Sequence, residues 1–307
     1  MKIKSILLFL TLIGYASSIY GQKLMPYTLG LTTPKDIQTV AIEVERILTK
    51  SGFEVLGEYT PAHNKQAKVI AFTSEEIIKA ANKIGNLAGF TAAWRIALTV
   101  EDGQTVVSYN TPQYWGNAYF RKDFKKVEDL YGKISEKLKE VMKFCGGNEL
   151  SYFGSEKGLE AKRLQHYRYK VLMPRFASTD VVGKFDNFEE AIETIENNLK
   201  TQSDLFTKVY TVRLPGKNVQ LYGIGLMGED GEQKFMPKID FQKPHHTAFL
   251  PYEILVVDNK VHMLAGKYRI AISFPDLSMG TFMKIVSTPG DINDYMEMVC
   301  KETKQEN

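Results

Sequence analysis

The sequence has 307 residues, of which 44% are hydrophobic, and its 39 basic and 36 acidic side chains give a formal net charge of +3. This composition excludes an intrinsically disordered chain, and the near balance of charge excludes bulk electrostatic attraction as the means of selecting a partner. The length allows two domains of ordinary size, each large enough to bury its own core.

The first 21 residues have the pattern of a secretory signal peptide. Lys2 and Lys4 precede an apolar run from Ile6 to Ile13, and small and polar residues follow up to Gly21. This run is shorter than the roughly 18 apolar residues that cross a bilayer. We therefore expect a periplasmic or secreted protein with no membrane span after cleavage; an uncleaved N-terminal anchor is the alternative.

In chain order, the first half (residues 22–147) begins with alternating helical and strand patterns. Thr33 and Pro34 predict a helix start, with Thr33 as the N-cap residue, and an apolar stripe follows at helical spacing. Strands are predicted at Phe53–Tyr59 and Ala67–Thr73, and Ser74 begins a second helix that ends near residue 84.

The strongest local signal is the stretch from Trp94 to Trp115. Two runs rich in β-branched and aromatic residues flank Asp102-Gly103, a dipeptide that tolerates the positive φ of a tight turn, so a β-hairpin is predicted. Pro112–Phe120 is interpreted as an aromatic segment that crosses the end of the sheet. A long amphipathic helix then closes this half at Cys145.

Residues 148–165 are predicted to be a linker because they are rich in Gly, Ser, Glu and Lys and lack periodicity. The second half, residues 166–307, repeats the order of the first: a helix, two strands, a hairpin and a closing helix. Its predicted elements are a strand at His166–Met173, a helix capped by Asp186, strands at Leu205–Leu214 and Val219–Leu226, a hairpin that turns at Asp258-Asn259, a strand-like segment at Lys267–Phe274 and a helix near Ile292–Val299.

The fold class predicted from this repetition is α+β, with two tandem two-layer sandwiches. Each unit is a mainly antiparallel sheet with helices on one face, since every hairpin must bury one face and the amphipathic helices supply matching apolar stripes. An approximate two-fold axis is expected to relate the two units.

Three sequence segments carry a family resemblance: Ser51-Gly52-Phe53-Glu54-Val55, the strand that ends in Ala71-Phe72-Thr73, and Ile96–Gly103 leading to Val107–Pro112. Over residues 33–120, and more weakly over 185–285, the chain resembles the bacterial family called domain of unknown function 302. The resemblance implies small α+β sandwiches that associate as dimers, so a tandem chain would be a pseudo-dimer within one polypeptide, expected to be a monomer in solution. It implies no particular chemistry.

Aromatic residues around the two crossing segments have two interpretations. They either pack as core at the ends of the sheets, or line an apolar pocket between the halves with polar anchors. The second interpretation gives these candidate ligand-binding residues: Tyr109, Asn110, Trp115, His246, Phe274, Asp276 and Met279. It predicts a non-catalytic, exported module that holds a small apolar or amphipathic ligand between its halves. The candidate partners are such a ligand or an envelope protein, and a hydrolytic or metal-dependent envelope enzyme is the alternative.

Other patterns suggest further chemistry, but each has a commoner structural explanation. Gly223–Gly228 fits G-x-G-x-x-G, yet the residues that follow are not expected to begin the helix that a dinucleotide requires. His245 and His246 are adjacent and should point to opposite sides, which makes them a poor chelate. No G-x-S-x-G motif is present, so no cofactor, metal or catalytic residue is assigned.

Residues 157–175 carry six basic side chains and one acidic one, with Tyr167 and Tyr169 among them. Such a stretch is typical of a single-stranded nucleic-acid site or, more commonly, of a solvated strand whose tyrosines pack on the other side. We expect no nucleic-acid partner.

The only cysteines are Cys145 and Cys300, and each ends a predicted closing helix. In an oxidising compartment they would either pair as a disulfide or remain as two buried free thiols.

Overall fold

The structure is a computed structural model that describes residues 23–301, so the predicted signal peptide lies outside the described residues. Over these residues no helix is both long and apolar enough to cross a bilayer. The strands are β1 (Lys23–Leu24), β2 (Tyr27–Thr33), β3 (Phe53–Tyr59), β4 (Ala67–Ser74), β5 (Trp94–Glu101), β6 (Gln104–Asn110), β7 (Ser151–Phe153), β8 (Leu159–Glu160), β9 (Thr179–Lys184), β10 (Phe206–Arg213), β11 (Val219–Leu226), β12 (Tyr252–Val257) and β13 (Lys260–Leu264). The helices are α1 (Ile37–Lys50), α2 (Glu75–Ile84), α3 (Pro112–Phe120), α4 (Glu128–Phe144), α5 (Ala161–Gln165), α6 (Phe188–Thr201), α7 (Glu232–Ile239), α8 (Gly266–Ser273), α9 (Met279–Lys284) and α10 (Thr288–Cys300).

The two halves contain sheets with the same strand order. The first sheet runs β3-β4-β5-β6-β2-β7 and the second runs β10-β11-β12-β13-β9, with antiparallel pairing throughout. Helices α1 and α4 pack on the first sheet, and α6 and α10 pack on the second. The chain is therefore an α+β protein built from two tandem two-layer units of one topology, as predicted.

Each half covers the sheet of the other with a short 3-10 turn that precedes its own hairpin. Asn86–Thr91, before β5, packs on β11 and β12, and Thr247–Phe249, before β12, packs on β4, β5 and β6. The turn of the first half lies very close to the second sheet, since a Cβ added to Gly89 would lie 2.6 Å from Cδ1 of Leu255. Because equivalent elements make equivalent contacts, an approximate two-fold axis relates the halves.

The edge strands β3 and β10 carry β-bulges at matching positions and lie against each other. The register of β3 with β4 shifts between Val55 and Gly57, and that of β10 with β11 shifts between Lys208 and Tyr210. A Cβ on Gly57 would lie 2.1 Å from the carbonyl oxygen of Val209, so only glycine permits this approach.

Local signals located most of these elements correctly. The predicted bounds of β3 and β11 agree with the structure, and the first hairpin turns through Asp102 at φ 50° and Gly103 at φ 77°, as its sequence requires. Ser74 caps α2 by accepting a hydrogen bond from the Ile77 amide. In the second hairpin the positive φ is at Asp258.

Two helices begin later than predicted, because an Asx side chain nearer to the helix provides the cap. Thr33 ends β2, and Asp36 instead caps α1 by accepting a hydrogen bond from the Thr39 amide at 2.9 Å. In the second half Asn187, not Asp186, caps α6, and its side chain accepts a hydrogen bond from the Glu190 amide at 3.0 Å.

Three segments have a different conformation from the predicted one. Residues 166–173 form turns rather than a strand, and the second sheet takes its last strand from β9. The predicted strand-like segment at 267–274 lies in helix α8, and the aromatic crossing segment is helix α3. Both helices are buried on almost every side, so they lack the one-sided apolar stripe that marks a surface helix.

The predicted linker is an ordered part of the first half. Strand β7 extends the first sheet beside β2, β8 pairs with β1, and α5 packs on α3. The two cysteines are both buried and free, so the free-thiol alternative describes the structure and the disulfide does not.

Candidate ligand-binding site between the halves

A cleft of about 580 Å³ lies between the halves, and we call it the His246 cleft. Its wall from the first half is Met25 and residues 152–156, around and after β7, and its wall from the second half is residues 239–246 and 274–281. The lining residues are Met25, Tyr152, Phe153, Gly154, Ser155, Glu156, Ile239, Asp240, Phe241, Gln242, Lys243, Pro244, His246, Phe274, Asp276, Leu277, Ser278 and Thr281.

A second cleft of about 300 Å³, the His245 cleft, is lined by the neighbouring histidine. Its residues are Pro61, Ala62, Asn64, Gln66, Ala67, Thr99, Val100, Gln233, Met236, Pro237, Asp240, His245, Thr247 and Leu250. The two histidines thus line different clefts, as adjacent residues pointing to opposite sides should, while Asp240 contributes to both.

Asp240 holds the segment that separates the clefts. Its carboxylate accepts hydrogen bonds from the His246 amide at 2.6 Å and from Oγ1 of Thr247 at 3.0 Å, and its side chain is only 6% exposed. The same carboxylate lies 3.5 Å from Nδ1 of His245, and this hydrogen bond raises the pKa of His245. Asp240 therefore holds the backbone at His246 and the ring of His245.

His246 is the best-defined polar group of its cleft. Its ring stacks on Phe274 with centroids 4.7 Å apart and lies 4.9 Å from the Tyr27 ring. Nδ1 lies 3.2 Å from the Ser273 carbonyl oxygen, which can only accept, so we assign the proton to Nδ1. Burial lowers the pKa of His246, and the neutral ring then carries an acceptor lone pair on Nε2.

Acidic groups dominate the polar part of the His246 cleft. Asp276 accepts hydrogen bonds from Oγ of Ser155 and from the Glu156 amide, so it ties the loop after β7 to the second half. Lys243 is the only Lys or Arg of the lining, and its ammonium lies 2.6 Å from the carboxylate of Asp102. The cleft therefore offers acceptors rather than a free cation.

Aromatic rings form the apolar part of the cleft. Tyr152 and Phe241 both line the cleft and are 51% and 58% exposed. The Phe153 ring lies 5.7 Å from that of His246. An exposed apolar wall beside hydrogen-bond acceptors is typical of a site for an amphipathic molecule.

Three of the seven predicted binding residues line the His246 cleft together: His246, Phe274 and Asp276. Met279 is 51% exposed on α9 but is absent from the lining of this cleft. Tyr109 is 3% exposed and lines a separate cleft of about 230 Å³ near β1.

The other two predicted residues are buried structural groups. Trp115 is 1% exposed, and its Nε1 donates a hydrogen bond to the Pro26 carbonyl oxygen at 2.7 Å. Asn110 joins the halves, because its Nδ2 donates to the Ala248 carbonyl oxygen at 3.0 Å and its Oδ1 accepts from the Arg95 amide. Neither contributes to the cleft.

The residues that sequence reasoning missed come from segments without periodicity. Tyr152–Glu156 belongs to the predicted linker, and Phe241–Pro244 belongs to a loop. Only composition could have singled them out, since the first segment has two aromatic residues and the second has one, each beside polar residues.

Between the clefts and the core, charged groups join the halves. Glu253 accepts hydrogen bonds from Arg95 at 2.9 Å, from Arg269 at 2.7 Å and from Tyr210 at 2.6 Å, and its side chain is fully buried. Arg269 also donates to two backbone carbonyl oxygens of the 3-10 turn region. This buried cluster fixes the hairpin of one half against that of the other.

A second buried carboxyl, Glu232, lies at the start of α7. It accepts hydrogen bonds from the Tyr59 hydroxyl at 3.1 Å, from the Ala62 amide at 3.0 Å and from the Leu226 amide at 3.2 Å. Burial raises the pKa of Glu232 to about 7 even though these donors favour the ionised form.

The glycine motif of β11 has a packing explanation. Each of its glycines lies under a tyrosine: a Cβ would lie 2.2 Å from the Tyr210 ring at Gly223 and 2.8 Å from the Tyr59 ring at Gly225. The expectation that no helix follows was wrong, since α7 begins four residues after Gly228. The first residue of that helix is the acid Glu232, and an acidic group at this position disfavours a pyrophosphate.

Within residues 23–301 no group of three or more His, Cys, Asp and Glu side chains is placed to hold a metal ion. In the basic stretch, both tyrosines pack against other parts of the chain. Tyr167 is buried and donates to the Ala271 carbonyl oxygen, and the Tyr169 ring stacks on Phe282.

No protein-family model and no curated protein matches the sequence. Among solved structures, the chain is similar to an uncharacterized conserved protein, DUF302, from Bacillus stearothermophilus. The similarity covers 39% of this chain and 98% of that chain, at 15% sequence identity and a TM-score of 0.34.

Proposed function

We propose that this protein is an exported, non-catalytic binding module that holds a small amphipathic ligand in the His246 cleft. The observation that carries the proposal is the cleft itself, in which both halves supply walls and three predicted binding residues meet. A cleft of about 580 Å³ lies within the range typical of small-molecule sites.

The chemistry of the lining selects the kind of ligand. Nε2 of neutral His246 and the carboxylates of Asp276 and Glu156 are acceptors, so the polar end of the ligand should donate hydrogen bonds or carry a positive charge. Phe241 and Tyr152 provide exposed rings for the apolar end. A long-chain ammonium compound combines both properties.

The geometry around His245 and His246 favours binding over hydrolysis in the His246 cleft. In the described part of the chain, no Ser, Thr or Cys side chain hydrogen-bonds to the ring of His245 or His246, which is the contact that activates a hydroxyl or thiol nucleophile. The ring nitrogen of His246 that does have a partner donates to a backbone carbonyl.

Native mass spectrometry with two probes of equal chain length tests the proposal. We expect the protein to bind dodecylammonium at 1:1 stoichiometry and to bind dodecyl sulfate at least about tenfold more weakly, because only the ammonium head matches the acceptors. Equal binding of both probes, or no saturable binding of either, would contradict the proposal.

A matched pair of variants localises the ligand. Phe241→Ser removes an exposed ring from the cleft, whereas Phe144→Ser removes a ring that is 69% exposed on α4 and outside the cleft. We expect only Phe241→Ser to weaken dodecylammonium binding, by about tenfold, since one aromatic anchor contributes roughly that much. Equal effects in the two variants would assign the binding to non-specific surface contact.

We also propose that the two units are tandem members of the DUF302 family. The shared strand order of the two sheets supports a duplication, and the segments at 51–55, 71–73 and 96–112 support the family. A sequence profile built from relatives of residues 33–120 should then match residues 185–285 of this chain. A profile that matches only its own half would contradict the duplication.

A further inference from the structure

Five apolar side chains are exposed on two segments of the second half, and we call them the tip patch. Val171 and Leu172 lie in the turn between α5 and β9, where they are 84% and 93% exposed. Met279 and Met283 on α9 and Val286 just beyond it are 51%, 60% and 60% exposed. Exposed apolar groups that cluster in this way mark an interaction surface.

The two segments are joined by Tyr169. Its ring stacks on Phe282 of α9 with centroids 6.3 Å apart and planes 19° apart, and its hydroxyl donates to the Leu277 carbonyl oxygen at 2.9 Å. The turn that carries Val171 and Leu172 is therefore held beside α9, and the two exposed segments meet at this contact.

Within the two segments that form the patch, every charged residue is basic. Residues 166–175 contain Arg168, Lys170 and Arg175, and residues 277–290 contain Lys284. The acids that flank the second segment already have partners, since Asp276 accepts a hydrogen bond from the Glu156 amide and Asp291 one from Lys234. All four cations are exposed, and none of them forms an ion pair with any residue between 23 and 301. The ammonium of Lys170 lies only over the Tyr169 ring, 5.5 Å from its centroid.

We infer that the tip patch docks on the surface of an anionic lipid bilayer. Cations around the patch would bind headgroup phosphates, while the most exposed side chains, Val171 and Leu172, enter the boundary between headgroups and acyl chains. Leu172 projects from the surface rather than lining a groove, and a bilayer accepts such a group without a complementary pocket.

A second copy of the chain fits this surface less well. A two-fold dimer through the patch would place the same four cations of each copy against one another, and the flanking Asp276 and Asp291 are already hydrogen-bonded within their own chain. An anionic bilayer instead lowers the energy of every one of these charges.

Docking would place the His246 cleft next to the membrane. Ser278 and Thr281 both line that cleft. Ser278 caps α9 and Thr281 lies within it, and the same helix exposes Met279 and Met283. The inference does not rest on the proposed function, because the exposure and charge of the patch stand whether or not the cleft binds a ligand.

Tryptophan fluorescence of the full chain tests the docking. The native Trp94 and Trp115 are 4% and 1% exposed, so a new tryptophan at position 172 reports on the patch against a constant background. On vesicles of phosphatidylcholine with one part in three of phosphatidylglycerol, we expect the emission of Leu172→Trp to shift to the blue and to be quenched by lipids brominated on the acyl chain. Vesicles of phosphatidylcholine alone should cause neither change.

The matched control is Ile42→Trp, because Ile42 is 58% exposed on α1, outside the patch. Its emission should be unchanged by either vesicle, and this also separates the patch from any binding through other parts of the chain. No shift at position 172, or an equal shift at position 42, would overturn the inference.

Charge variants and the state of association complete the test. Lys170→Gln and Lys284→Gln should each lower the vesicle partition coefficient about fivefold, whereas Lys50→Gln at the end of α1 should not change it. If sedimentation without lipid shows a dimer that Leu172→Asp converts to a monomer, the patch is a self-association surface and membrane docking is wrong.

Discussion

Arg95 and Glu253 occupy equivalent positions in the two hairpins, each being the second residue of the first hairpin strand, and they form an ion pair across the boundary between the halves. Arg95 Nη1 lies 2.9 Å from Glu253 Oε1, and their side chains are 3% and 0% exposed. On a true two-fold axis the same residue would meet itself, and like charges would repel. The two units therefore carry opposite charges at a position where they meet.

The first prediction concerns this pair. Glu253→Gln should lower the free energy of unfolding by about 3 to 5 kcal/mol, because it leaves two buried guanidinium groups without their carboxylate. Arg95→Met should cost less, about 1 to 3 kcal/mol, since Glu253 keeps Arg269 and Tyr210 as donors. Urea unfolding of both variants checks this order, and a larger loss for Arg95→Met would contradict it.

The second prediction concerns Trp115, which the structure places in the core. Trp115→Ala should destabilise the protein by about 3 to 5 kcal/mol, the usual effect of deleting a buried large aromatic side chain. Chemical denaturation beside the parent measures it. A loss below about 1.5 kcal/mol with an unchanged dependence on denaturant would instead describe a partly exposed pocket wall.

The third prediction concerns pH and Glu232, whose pKa in the folded protein is about 7 against an ordinary value of 4.5. A raised pKa means that the stabilising, neutral carboxyl is fully present below about pH 4.5 and is lost as the pH rises through about 7. Glu232→Gln has no carboxyl group that ionises, so it should not show this loss. The free energy of unfolding of the variant relative to the parent should therefore increase by about 3 kcal/mol between pH 4.5 and pH 8.

Unfolding by urea at both pH values, with Glu229→Gln as the control, measures the effect. Glu229 is a nearby exposed acid, and its substitution should leave the difference between the two pH values unchanged. A difference between Glu232→Gln and the parent that does not vary with pH would mean that the three donors keep Glu232 ionised.

The fourth prediction concerns His246 and ligand binding. Burial lowers the pKa of this ring, so the ring stays neutral, with Nε2 as an acceptor, at pH 7 and somewhat below the ordinary histidine value of 6.5. Protonation at still lower pH would turn the acceptor into a cationic donor, and dodecylammonium binding should then weaken. Titration of the affinity from pH 8 to pH 4.5 in parent and His246→Gln measures this, and an identical pH profile in both would exclude His246 as the group responsible.

The fifth prediction concerns the cysteines. Burial raises the pKa of Cys145 to about 11 and that of Cys300 to about 12, so both are protonated and unreactive near neutral pH. Iodoacetamide should label neither in the native protein and both in denaturant without reductant, as read by intact mass. A protein that takes up no label until it is reduced would contain the disulfide instead.

Sequence reasoning located the parts of the fold that a local signal determines. Local residues determine the conformation of the Asp102-Gly103 turn and of the helix start at Ser74. The same holds for α1, α4 and α6, which carry an apolar stripe on one side. It failed for α3 and α8, because a helix surrounded by protein has no polar side to give it a period. At 166–173, the alternating tyrosines have the sequence pattern of a strand. In the structure Tyr167 packs toward α8 and Tyr169 packs toward α9.

The candidate site was predicted only in part, for a related reason. His246, Phe274 and Asp276 stand out as polar or aromatic residues near turns, so composition could select them. Trp115 and Asn110 stand out equally, yet one fills the core and the other joins the halves. Nothing local in a sequence separates a side chain that faces a cleft from one that faces another element of the same chain.

The meeting of the two bulged edge strands also bears on aggregation. An uncovered edge strand can pair with another chain, and bulges and covering segments are the means by which proteins prevent it. Here β3 and β10 shield each other, and β7 covers the β2 edge of the first sheet. A fragment containing either half alone would expose a seven- or eight-residue edge that the intact chain conceals, and such fragments should polymerise where the whole protein stays dispersed.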